Sequence, residues 1–128
     1  MSITTSVKSR FKELVILLEN ASIESRADAA EKVANGSLDS AFTFRALQEA
    51  AKLDAKFKTL NFTTEYVTSS AFDKEGEELF TTFLRSDLLQ DITRRMNSLI
   101  SLNNTNPLEH AALTGVVELH AELLKILK

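Results

Sequence analysis

Three glycines and one proline in 128 residues leave this chain very few places where a helix must break. Leucine and alanine, both strong helix formers, are its commonest apolar residues. The expected fold class is therefore all-α: a compact bundle of four to five helices, mainly antiparallel, with an irregular segment near residues 61–73. The length suits a single helical domain over residues 1–128 and leaves no room for two. Hydrophobic residues at 44% and charged ones at 26% exclude a disordered tail or a low-complexity linker.

Apolar spacing places the helices. Val7, Phe11, Leu14, Val15 and Leu18 share one face of a first helix capped near Ser6. A second helix is expected to start at Ser22 or Ser25, with a thin face of Ile23, Ala27, Ala30, Val33 and Ala34. It should stop in left-handed backbone at Asn35-Gly36. A third, capped by Ser37, Asp39 or Ser40, carries two apolar stripes: Phe44, Leu47 and Ala51, then Ala46, Ala50, Leu53, Phe57 and Leu60. Such a wide face belongs to a central helix. Its polar side pairs Arg45 with Glu49, Glu49 with Lys52 and Asp54 with Lys58 at helical spacing.

From Asn61 to about Asp73 the residues are β-branched and aromatic, and the helical signal fades. Either a short element packs here, with Phe62, Tyr66 and Phe72 plugging one end of the bundle, or the segment is a binding loop. Helical spacing resumes near Lys74 and runs to Leu102 along Leu79, Phe80, Phe83, Leu84, Leu88, Ile92, Met96, Leu99 and Ile100. A bend or break is expected at Ser86-Asp87. The last helix opens with Asn106 as cap, Pro107 in the first turn and Glu109 three residues on. Gly115, costly inside a helix, implies a close helix crossing there.

Chemistry is mostly excluded. Without cysteine there is no disulfide framework, cysteine–zinc site or thiol nucleophile. His110 and His120 would stand about 15 Å apart along one helix and some 80° apart around it, too far to share an ion. Neither has a glutamate three residues before it, as a bundle di-metal site requires, because Pro107 and Val117 stand there. Three scattered glycines make neither a nucleophile elbow nor a phosphate cradle. Glu77-Glu78 and Glu118/Glu122 read as solvated carboxylates. No catalytic residue, cofactor or metal is expected.

A net charge of −3 does not favour a nucleic-acid partner. The basic candidates Lys8-Arg10-Lys12, Lys52-Lys56-Lys58 and Arg94-Arg95 are interleaved with acids. No apolar run reaches the roughly 18–20 residues of a membrane span. A cytoplasmic protein is expected, so the Asn-x-Ser/Thr triplets at Asn20, Asn35, Asn61 and Asn103 are read as helix punctuation.

The tract Asn106-Pro107-Leu108-Glu109-His110-Ala111-Ala112-Leu113, with Glu118-Leu119-His120-Ala121-Glu122-Leu123-Leu124-Lys125, resembles the closing helix of small all-helical proteins of tailed bacteriophages. Some of those are virion or head-assembly components. The likeness covers about a fifth of the chain. It implies a non-enzymatic structural or assembly role in multiple copies, and it transfers no functional residues.

The functional expectation is a protein–protein interaction or assembly module that buries apolar helix faces against partner subunits. Candidate interface residues are Tyr66, the seam Leu88, Ile92, Met96 and Leu99, and the last-helix face Val116, Leu119, Leu123 and Ile126. The same side chains could equally form ordinary core. Alternatives are a small inhibitor of a host enzyme acting through its acidic surface, or a DNA-binding packaging or regulatory factor.

Overall fold

A computed structural model describes residues 6–36, 39–60, 63–101 and 106–127, and among these the chain is helical without a strand. The all-α expectation holds, but the helices divide differently. The expected first and second helices are one: α1, Val7–Asn35, 29 residues and about 43 Å long. Ser6 caps it by accepting from the Ser9 N–H at 3.1 Å. Between Leu18 and Ser25 no glycine or proline forces a break. The serines expected to start a new helix are absorbed instead, as the Ser25 hydroxyl donates to the Ser22 carbonyl at 3.1 Å. Asn20 accordingly lies in mid-helix and punctuates nothing.

The stop at Gly36 is also corrected. Its φ of −112° and ψ of −175° are extended, not left-handed. Glycine is suited to this position by crowding: a Cβ would meet the Lys32 carbonyl oxygen at 2.7 Å and Thr43 Oγ1 at 3.3 Å.

Helix α2, Ala41–Leu60, starts after Ser40, whose hydroxyl accepts from the Phe42 N–H at 3.2 Å. It is central as expected, packed along α1 on one flank and α7 (Pro107–Leu127) on the other. Gly36 sits beside Thr43, and Arg26 beside Asp54, so α1 and α2 are antiparallel. Gly115 meets Lys52, and Glu122 meets Lys56, so α2 and α7 run parallel.

The parallel pair departs from a mainly antiparallel bundle because the chain crosses over between the two helices. Two single-turn helices come first, α3 (Thr63–Val67) and α4 (Ser70–Lys74), where an irregular segment was expected. The Ser69 hydroxyl caps α4 by accepting from the Phe72 N–H at 3.4 Å. Asn61 and Phe62 lie outside the described residues, as do Ser37, Asn103 and Thr105.

The chain then returns through α5 (Glu77–Phe83), a π-helical turn (Leu84–Leu88) and α6 (Leu89–Ser101), which packs on α7. The expected break at Ser86-Asp87 is this π turn: the helix widens there and continues without a new cap. The Leu89 N–H bonds to the Leu84 carbonyl, five residues back. The π turn falls within the strict four-residue spacing of Phe80, Leu84, Leu88 and Ile92. On an α-helix each such step drifts about 40°, and one wide turn takes up part of that drift. All four are buried. Leu79 and Ile100, each next to a buried residue about 100° away, cannot share the seam and are exposed.

At the N-terminal end of α1 the core is aromatic. The Phe11 and Phe80 rings lie 5.1 Å apart, Phe72 stands edge-on to Phe80 at 5.4 Å, and Tyr66 edge-on to Phe72 at 5.3 Å. Burying each such ring contributes about 1.5–3 kcal/mol. Lys8 closes this end. Its ammonium donates to the carbonyls of Phe72 and Glu75, at the end of α4, and sits 4.6 Å from the Phe72 ring centre.

Candidate partner face

The seam proposed from sequence faces inward. Leu88, Ile92, Leu99, Val116, Leu119, Leu123 and Ile126 are buried in the chain's own core, and Met96 and Tyr66 are half-buried against it. Of the two roles left open for these side chains, core or interface, they take the first within the single chain. The heptad-like steps on α6 serve packing against α7 within the chain, and those side chains have little surface left to cover.

Exposed apolar side chains are spread over several helices, with Leu17 on the first half of α1, Leu79 on α5, Ile100 on α6 and Val117 and Leu124 on α7. Four more cluster on the arm formed by the second half of α1 and the first half of α2. Beyond Ser22, Ala29 is the one buried residue of α1, and Thr43 and Ala46 are the buried residues at the start of α2. With Ala29 and Thr43 turned into the antiparallel contact, 100° per residue sets Ile23, Ala30 and Val33 of α1 on one side of the arm. The same rotation sets Phe44 and Ala51 of α2 on that side. Ile23 is 58% exposed, Val33 39% and Phe44 42%; Phe42, 73% exposed, points to the opposite side.

The sequence had placed Phe44 on a buried stripe. It lies outward because α2 spends its two flanks on α1 and α7, and Phe44 falls between them. At the base of the face Asp54 pairs with Arg26 at 3.1 Å and with Lys58 at 3.0 Å. Farther along α2, Lys58 and Thr59 meet Asp91 and Arg95 of α6 across a groove of about 430 Å³.

Most cations weighed for nucleic acid are engaged within the chain. Lys8 is held by backbone carbonyls, Lys58 by Asp54, and Arg94 by Asp91 at 2.8 Å. Lys52 and Lys56 face the α7 carboxylates. Lys56 Nζ lies 2.6 Å from Glu122 Oε1 and 3.1 Å from Glu118 Oε2, and Lys52 Nζ lies 3.5 Å from both Glu49 and Glu118. The sequence reading left these glutamates in solvent. A signal was present, because like charges four apart on a helix repel unless a cation lies between them.

Burial on its own would raise the Glu118 carboxyl, but the Lys56 hydrogen bond and the Lys56 and Lys52 charges outweigh it and hold it below the usual range. Burial would likewise lower Lys56, and its bonds to Glu122 and Glu118 raise it instead.

His110 is exposed and His120 half-buried. Among the described residues no group of three or more His, Cys, Asp or Glu side chains is placed to hold a metal ion, and no helix is long and apolar enough to cross a membrane. One groove is lined by Arg45, Glu49 and Lys52 of α2 and by His110 and Thr114 of α7. No family model, curated protein or solved structure matches the chain.

Proposed function

We propose that this chain is a non-enzymatic interaction or assembly module that self-associates through the exposed side of the α1–α2 arm. The observation that carries the reading is the apolar strip that the arm leaves exposed on one side, with Phe42 exposed on the other. Its apolar residues Ile23, Val33 and Phe44 stay exposed beside alanines that admit close helix approach. Two arms laid side against side would complete a four-helix unit of the kind helical hairpins form. The likeness of the closing helix to bacteriophage assembly components makes a virion or head-assembly role the specific form proposed.

Sedimentation velocity across a concentration range tests the reading. A discrete oligomer that becomes monomeric in Phe44→Asp supports it, and a monomer at every concentration contradicts self-association. Capture of a different protein, weakened by salt and insensitive to Phe44→Asp, would favour the enzyme-inhibitor alternative, for which the exposed Glu24 and Glu31 of α1 are the acidic surface.

A further inference from the structure

We infer that the Lys56–Glu118–Glu122 cluster is an acid-opened latch holding α7 against α2. This does not rest on the partner reading. The Lys56 side chain is only 9% exposed, and its ammonium reaches two carboxylates of the neighbouring helix at 2.6 and 3.1 Å. A buried ammonium needs charged acceptors, and protonating the carboxyls removes them while the lysine stays charged.

The charged groups around the cluster are Lys52 on α2, which lies 3.5 Å from both Glu49 and Glu118, and Lys125 on α7, which lines a groove with Glu122. Arg45 and His110 line a neighbouring groove with Lys52 and Glu49. From α1, Arg10 and Glu13 share a groove with Glu122; from α6, Asp91 and Arg95 face Lys58 in a separate one. Just before the cluster, Gly115 packs on the Lys52 backbone and holds α7 close to α2, while Glu118 and Glu122 keep part of their surface in solvent and so can take up protons.

The direction follows from the two shifts. Glu118, held low, stabilises the folded chain above its ordinary value of 4.5, and that contribution disappears as pH falls through the lower folded value. Lys56, held high, contributes below 10.5 and loses its contribution as pH rises through the raised folded value. The latch is therefore closed between these limits and opens on the acid side, as pH falls below 4.5 and through the lower folded value of Glu118. The aromatic end depends less on carboxylates: its ring contacts do not titrate and the Lys8 ammonium is held by backbone carbonyls, with one exposed carboxylate contact, from the Lys8 backbone N–H to Glu77 at 3.2 Å.

Hydrogen exchange of the full chain, corrected for intrinsic rates, tests this at pH 6 and at about pH 3.5. The expected result is that amides from Val116 to Leu123 lose protection about tenfold more than those of Phe11 and Phe80. Lys56→Met should abolish this selective loss. Glu118→Gln combined with Glu122→Gln should reproduce it at pH 6. Equal loss at both ends of the molecule, or selective loss retained in Lys56→Met, would overturn the latch. Should Lys56→Met fail to fold, the double glutamine variant decides: unchanged α7 protection at pH 6 contradicts the proposal.

Discussion

The two halves of α1 are one continuous helix in opposite surroundings. From Val7 to Leu18 it presents Phe11, Leu14, Val15 and Leu18 to a core closed by Phe80, Phe72 and the Lys8 clamp. From Ser22 to Asn35 it buries Ser22 and Ala29 against α2 and leaves Ile23 and Val33 in solvent. Helical propensity is similar in both, so the difference lies in side-chain volume and in what packs opposite. Large residues draw in several elements; serine and alanine admit one neighbour closely and bury little area. The first half supplies most of the buried side chains of α1 while leaving Leu17 exposed on its outer side, and the second half contributes little to the core.

Substitutions can break this contrast in order of size. Phe80→Ala, removing the ring at the centre of the aromatic block, should cost about 3–5 kcal/mol in urea unfolding. Gly115→Ala should cost about 1–3 kcal/mol, because the added methyl meets the Lys52 carbonyl at the α2–α7 crossing. Lys8→Met keeps the stem and removes the ammonium bonds to Phe72 and Glu75, for about 1–2 kcal/mol. Phe44→Ser, in the arm, should change monomer stability by no more than about 0.5 kcal/mol while weakening association. A large loss of monomer stability from Phe44→Ser, or a negligible one from Phe80→Ala, would erase the distinction between the halves.

Much of the architecture was legible from local chemistry. Ser6, Ser40 and Asn106 cap where their spacing predicts; the Asn106 side chain accepts from the Leu108 N–H at 2.9 Å. Gly115 marked a close crossing, and the wide apolar face of α2 marked the central helix. What was missed depends on tertiary context. Ser22 and Ser25 look the same whether they begin a helix or ride inside one. The direction of Phe44 was set by which two flanks of α2 found partners, and that depends on the crossover to α7. Lys56 on an apolar face made sense only once Glu118 and Glu122 lay opposite. For Leu88, Ile92, Met96 and Leu99 the choice between core and interface stayed open, because periodicity identifies a seam without saying whose helix fills it.

Hydrogen exchange along α1 at low and high protein concentration tests the division most directly. Protection from Phe11 to Leu18 should be strong and independent of concentration. Protection from Ile23 to Val33 should be weaker in dilute solution and rise as chains associate through the arm. Uniform protection along α1, unchanged by concentration, would contradict both the division and the self-association built on it.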